Sequence, residues 1–237
     1  MEWISRTELL LEKEGLAKLQ KAHVLVVGLG GVGAYAAEML VRAGIGEITL
    51  IDADVVQPSN RNRQLAALCS TTHKLKVEVM TDRLLDINPK LKIHPNHLFL
   101  TADVMPSLFE TKFDYVVDAI DSISPKVFLI VHTMNAKYPL ISSMGAGGKL
   151  DPSKVMIDDV SNSYHCKLAR MVRKKLTKFN IKTGFDVVYS PEPVKREHVI
   201  FVEGERNKKT TVGTISYMPA LFGLLAASKV IRELAGV

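Results

Sequence analysis

HVLVVGLGGVG, residues 23–33, decides how this chain is read. A short apolar run ends in glycines, and a helical pattern, AYAAEML, follows at once. That order is a strand, a tight loop and a helix N-terminus. Gly28, Gly30 and Gly33 fit G-x-G-x-x-G, with Gly31 between them. The first glycine permits the turn, the second lets backbone approach a phosphate, and the third lets the helix pack on the strand. Amides at such a helix N-terminus face an anion. A dinucleotide and ATP both carry phosphates, so the loop alone leaves the nucleotide open.

Working outward, strands and helices alternate. Residues 6–19 carry leucines at helical spacing, one helix or two, with Ser5 and Glu8 in a capping-box pattern. A helix over 32–43 is stopped by Gly44 and Gly46. EITLID, 47–52, reads as the second strand, and 52–64 as a polar loop. Helices over 73–87, 103–109 and 125–136 alternate with strands beginning at 92 and spanning 113–120 and 139–145. The expectation is a Rossmann-like, mostly parallel α/β sheet with helices on both faces. This core, with its N-terminal helix, spans 1–148. Residues 149–237 follow as a turn-rich crossover, a basic segment, a strand at 187–190, a polar insert at 191–211 and a closing helix at 218–234, completing the same domain.

At 237 residues and 26.2 kDa the chain is long enough for a full core. A net charge of +6 permits an acidic partner without requiring one. The two cysteines, Cys69 and Cys166, make no CxxC pair, which excludes a disulfide framework and an intrachain four-cysteine zinc site. No stretch is apolar enough to span a membrane, and the charged N-terminus is not a secretory signal, so the cytoplasm is expected.

Asp52 ends the second strand 19 residues after Gly33, where an acid binds ribose hydroxyls. Read with the glycine loop alone, it favours NAD. The next loop argues otherwise. Asn60, Arg61, Arg63 and Gln64, with Lys74 and Lys76 opening the following helix, are more cation than a hydride carrier needs. A triphosphate does need them, to neutralise charge and stabilise departing pyrophosphate. Asp118 and Asp121 close the strand 113–118, and ligands of open parallel sheets lie beyond the carboxyl ends of strands. Two carboxylates beside a nucleotide suit Mg²⁺, with a helix cap as the plainer role for one of them.

Together these pieces resemble the E1-like adenylating enzymes of the ThiF/MoeB/HesA group. VLVVGLGGVGAYAAEML, ITLIDADVV, SNRNRQ, HKLKVE and VVDAIDSISPK match in order and spacing over roughly 6–148. The N-terminal SRTELLLEKEGLAKLQ, with GAGGKLDPSK and YSPE, is similar to the branch that dehydrates threonylcarbamoyladenosine in tRNA. The resemblance implies ATP on Gly28, Gly30, Gly31 and Gly33, with Asp52 on the ribose and Asp54 and Asp118 among the nucleotide-binding positions. It implies Asn60, Arg63, Gln64 and Lys76 around the phosphates, Asp121 on Mg²⁺, and Arg6 reaching the partner's phosphates in a homodimer. Arg6, Arg63, Lys76 and Asp121 are then the catalytic set. The implied reaction adenylates the carboxylate of threonylcarbamoyladenosine 37 in a tRNA substrate. Attack by the carbamoyl group then closes a ring and releases AMP. The alternative is adenylation of the C-terminal glycine of a ubiquitin-like sulfur-carrier protein.

Two departures bear on that choice. Sulfur-carrier activators often hold paired CxxC zinc motifs, and there are none here. Cys166 lies in a basic helical pattern, and TTVGTISYMPALFG lacks the cysteine that some dehydratases carry. A sulfur-relay protein stays among the expected partners, but this chain would lack a relay that needed that cysteine, and ring closure needs no thiol. Lys167, Arg170, Arg173, Lys174, Lys175 and Lys178 form a candidate tRNA surface. Lys195, Arg196, Arg206, Lys208 and Lys209 add to it, with a plain solvated helix face as the competing reading.

Overall fold

The computed structural model describes residues 2–201 and 210–237. Seven strands form one sheet in the order β3-β2-β1-β4-β5-β7-β6. They are β1 (His23–Val27), β2 (Glu47–Asp52), β3 (Lys92–His97), β4 (Tyr115–Asp118), β5 (Leu140–Ser143), β6 (Met156–Asp159) and β7 (Asp186–Tyr189). Every pairing is parallel except that of the edge strand β6 with β7. The α/β expectation holds. The sequence pattern did not reveal β6, which is half-buried and only four residues long. Nor did it anticipate the two-stranded hairpin of β8 (Val199–Phe201) and β9 (Thr210–Val212) inside the polar insert.

The strands are continuous apolar runs because both sheet faces are covered. In β1, Val24 and Val26 join one buried cluster, and Leu25 and Val27 join the other. The first cluster lies under α1 (Ser5–Lys21), α2 (Gly33–Ala43), α3 (Lys76–Ile87) and α7 (Tyr217–Ala235). The second lies under α4 (Met105–Leu108), α5 (Ile123–Asn135) and α6 (Lys167–Leu176). Two strands that follow residue 148, β7 and β6, extend the sheet beyond β5.

Three local features set the frame. Glu12, at φ 60°, divides α1 into two helical pieces. The expected Ser5 cap is not made; α1 begins at Ser5 with Ile4 before it. Gly44 ends α2 in the left-handed region at φ 103°, its N–H bonded to Leu40 O and Val41 O.

Candidate nucleotide-binding site

The chain leaves β1 toward β2 and β3, then returns past β1 to β4. Strand order therefore reverses at β1, and the crevice beyond the strand ends there is where ligands of such sheets bind. Register brings three strand ends together: Val27 pairs with Ile51 on one side and Asp118 on the other. The Gly28 N–H donates to Ile51 O at 2.8 Å, and the Ala119 N–H to Val27 O at 2.8 Å.

The glycines of the loop divide by what surrounds them. Gly28 has φ +89°, and a Cβ there would meet Ala119 O at 2.8 Å. A Cβ on Gly33 would lie 1.8 Å from Gly28 O, and one on Gly31 would lie 2.8 Å from Pro219. These three serve the protein's own packing. At Gly30 the nearest atom is Gln64 Nε2, 3.8 Å away, so the space is left for something outside the chain. Among the described residues no side chain caps α2, and the orphan amides of its first turn are not taken up by a cap.

Asp52 is buried and faces this loop. Its Oδ2 accepts from the Leu29 N–H at 2.6 Å and its Oδ1 from the Asp54 N–H at 2.8 Å. Burial pushes its carboxyl above the usual range, while the Lys76 ammonium and the two amides act against that rise. Lys76, buried at the start of α3, donates from Nζ to Asp54 Oδ2 at 2.7 Å. Asp54 is itself exposed. Asp52, Asp54 and Lys76 are thus one linked group, with the lysine held by an acid that solvent can reach.

Residues 57–64 wrap beside the loop. Asn60 Oδ1 accepts from the Gln57 N–H at 3.0 Å, which leaves its amide N–H groups as donors. Arg63 donates to Ser59 O at 3.0 Å and to Asn62 Oδ1 at 2.8 Å. The Asn62 amide reaches Thr214 O at 2.9 Å, joining this loop to the segment before α7. Gln64 Oε1 is buried with no hydrogen-bond partner among the described residues. An unpartnered buried acceptor beside a glycine loop with reserved space fits a bound nucleotide.

Asp118 corrects the sequence reading. Its place at a strand end predicts a side chain sharing the cleft with Asp52, but it is fully buried. Its Oδ2 accepts from Lys126 Nζ at 2.6 Å and Ser142 Oγ at 2.6 Å, and its Oδ1 from the Ile120 N–H at 3.0 Å. Lys126, also fully buried, donates further to Ser142 Oγ at 3.1 Å and Ser143 O at 3.0 Å. The pair ties the ends of β4 and β5 to the first turn of α5. Asp118 braces the turn, and Asp121, three residues on, is the exposed acid of the segment. Sequence reasoning missed Lys126 because nothing in SISPK separates a buried lysine from a solvated one.

The ThiF family model matches residues 4–237. The chain belongs to the ThiF family. Among similar proteins is the tRNA threonylcarbamoyladenosine dehydratase of Bacillus subtilis, 40% identical over 97% of this chain and 93% of that protein. The crystal structure of the Escherichia coli tRNA N6-threonylcarbamoyladenosine dehydratase in complex with ATP superposes with a TM-score of 0.91 at 33% identity. It covers 99% of this chain and 94% of that one. The molybdopterin-synthase adenylyltransferase of Salmonella typhimurium is 42% identical, but over 54% of this chain and 51% of its own length.

Other expected positions of this ThiF-family chain lie apart from the crevice. Arg6 is exposed near the start of α1. Ile4, two residues before it, packs over Gly44 at the far end of α2 from the glycine loop. An 11-residue helix is about 16 Å long, which sets this contact about that far from the glycine loop of the same chain. On α6, Ala169, Val172 and Leu176 are buried, and Lys167, Arg170, Lys174 and Lys175 are exposed. Arg173 leaves that surface: half-buried, it donates to Ser163 Oγ and Val160 O. Lys175 Nζ is 3.5 Å from Ser124 Oγ in the first turn of α5, so the basic helix ends beside the Asp121 turn. Arg206, Lys208 and Lys209 lie outside the described residues. Cys166 is buried at the start of α6, and Cys69 is exposed, receiving a hydrogen bond from Arg61 at 2.7 Å. No helix among the described residues is long and apolar enough to cross a membrane.

Proposed function

We propose that this chain is an ATP-dependent tRNA threonylcarbamoyladenosine dehydratase, an adenylating enzyme of the E1-like type. The observation that carries the reading is likeness over nearly the whole chain to dehydratases, including one solved with ATP. The likeness to a molybdopterin-synthase adenylyltransferase covers about half of it. The crevice chemistry agrees. The amides of the glycine loop would face phosphates, and Asp52 would accept from ribose hydroxyls. Lys76, Arg63 and Asn60 would meet phosphate oxygens, with Gln64 beside them.

A carboxylate is a poor electrophile. Adenylation forms a bond from its oxygen to the α-phosphorus and expels pyrophosphate. Attack by the carbamoyl group on the activated carbonyl then expels AMP and a proton, for a net loss of water. Lys76 would exchange Asp54 for phosphate, holding positive charge where pyrophosphate departs. Asp121 is the carboxylate we assign to Mg²⁺, an ion commonly held by one or two carboxylates plus phosphates. Bound there, Mg²⁺ would supply charge neutralisation to the triphosphate.

The cations of α6, ending beside the Asp121 turn, support tRNA as the macromolecule that brings the carboxylate. Arg6, remote from its own glycine loop, supports a homodimer in which it serves the partner's site. Exposed Leu9 and Leu10 beside it fit burial between two copies. A sulfur-relay partner would meet Cys69, since Cys166 is buried. Two unpaired thiols and a tRNA substrate suit the cytoplasm. We take residues 149–237 to complete the domain that 1–148 begin, because β7 is hydrogen-bonded to β5.

The test mixes enzyme, ATP and Mg²⁺ with tRNA bearing threonylcarbamoyladenosine, or with a Gly-Gly-tailed carrier protein. AMP release should require the tRNA and accompany loss of one water from the nucleoside by mass. AMP–carrier adduct formation with no response to tRNA would replace this reading with the carrier-activating one.

A further inference from the structure

The amino ends of the strands, opposite the glycine loop, hold a second group of side chains that nucleotide chemistry does not use. His23 opens β1, Glu47 opens β2, and His94 is the third residue of β3. Register pairs His23 with Glu47 and Thr49 with His94. With side chains alternating along each strand, His23, Glu47, Thr49 and His94 share one sheet face.

Their donor atoms converge. Glu47 Oε1 lies 2.9 Å from His94 Nε2 and 3.7 Å from His23 Nδ1, and one donor from each residue falls within 4.8 Å of the others. Tetrahedral zinc, with bonds of about 2.0–2.1 Å, spaces its donors by about 3.3 Å, inside the range these atoms already span. His23 Nε2 is 2.8 Å from Thr49 Oγ1. A proton on Nε2 donated to that hydroxyl leaves the Nδ1 lone pair directed at Glu47. Metal-bound histidines are oriented in this way, by a hydrogen bond from the other ring nitrogen.

The surroundings suit a metal ion. Phe113 packs edge-on against the His23 ring at 4.9 Å between centroids. Burial holds His23 below its ordinary pKa. The hydrogen bond from His94 holds Glu47 below the usual carboxylate range. Two further charges face the group. Asp114 Oδ2 accepts from the His23 N–H at 2.7 Å. Lys92 Nζ lies 3.9 Å from Glu47 Oε2, leaving Oε1 to the histidines, and its side chain is 75% exposed and able to swing away. His94 is half open to water, which leaves room for a fourth, solvent ligand.

We propose that His23, Glu47 and His94 form a binding site for a divalent transition-metal ion of the zinc class, joining the amino ends of three adjacent strands. Two imidazoles and one carboxylate with an open fourth position form a donor set that zinc accepts and Mg²⁺, which prefers six oxygens, does not.

The test uses the full chain stripped with chelator and titrated with ZnCl₂ in excess Mg²⁺, against a chromophoric competing chelator. One equivalent should bind tightly. His94→Ala and Glu47→Gln should each weaken it at least tenfold, with circular dichroism and ATP affinity unchanged. Co²⁺ in place of zinc should give the intense visible bands of a four-coordinate centre, and these should vanish in His94→Ala. Zinc bound equally by wild type and His94→Ala overturns the proposal, leaving a hydrogen-bonded network only. Zinc displaced by ATP overturns it as well, by placing the ion in the crevice. Neither readout requires turnover.

Discussion

Individual residues of the site divide into those that keep the fold and those that meet a ligand. Gly33→Ala would force a Cβ to 1.8 Å from Gly28 O, a backbone atom that cannot move aside. We expect that variant to lose folded protein, seen as loss of the cooperative thermal transition. Gly30→Ala meets nothing closer than 3.8 Å. It should keep wild-type stability to within about 0.5 kcal/mol, yet bind ATP at least tenfold more weakly by calorimetry. The two acids of DAID divide similarly. Asp118→Ala would strand the buried Lys126 ammonium, and removal of one partner from a buried pair costs about 3–5 kcal/mol. Urea denaturation should show that loss. Asp121→Ala, at an exposed position, should alter stability by less than about 1 kcal/mol while abolishing AMP release. Equal loss of stability in both would return Asp121 to a bracing role. The sequence showed two acids at a strand end but not which was buried, because that depends on Lys126 and Ser142 arriving from other elements.

Among elements, α7 does more than close the chain. A Cβ on Gly223 would sit 2.3 Å from Val32 O, so this glycine lets α7 cross directly over the start of α2. Read along the sequence, Gly223 only interrupts an apolar stretch; in the fold it is the crossing point. Pro219, four residues earlier, meets the glycine loop itself. At its other end α7 joins β4 through Tyr115, whose hydroxyl donates to Glu233 Oε2 at 2.6 Å. Burial, with that bond, raises the phenol pKa far above its ordinary value of 10. Tyr115 therefore contributes stability that is intact below pH ~10 and is lost as pH rises beyond it, when the unfolded chain ionises its tyrosine first. Tyr115→Phe should cost about 1 kcal/mol at neutral pH. Above pH 10 the wild-type free energy of unfolding should fall more steeply than the variant's, by up to about 1.4 kcal/mol per pH unit. Parallel slopes in denaturant titrations between pH 8 and 11 would place the proton elsewhere. The basic helix α6 was legible as a helix, but not the withdrawal of Arg173, since its partners Val160 and Ser163 lie in a preceding turn.

At the scale of the whole molecule, the remoteness of Arg6 from its own crevice makes a complementation test decisive. Arg6→Ala and Asp121→Ala should each be inactive alone. Mixed and re-equilibrated, half the dimers would be hybrids with one complete site, recovering about a quarter of wild-type AMP release for a C₂ dimer. No recovery, with exchange of subunits verified by mass, would place Arg6 in its own subunit's chemistry. By itself the sequence determined the alternation of strands and helices, the glycine loop, the acid ending β2 and the mostly parallel sheet. These are local properties, set by apolar periodicity and by backbone that only glycine tolerates. Tertiary structure alone decided that β7 sits between β5 and the antiparallel β6, that Asp118 pairs with Lys126, and that Pro219 lies against the loop. It alone brought His23, Glu47 and His94 from three strands to one corner. Each of these depends on atoms from separate elements meeting in space, and no spacing along the chain encodes that meeting.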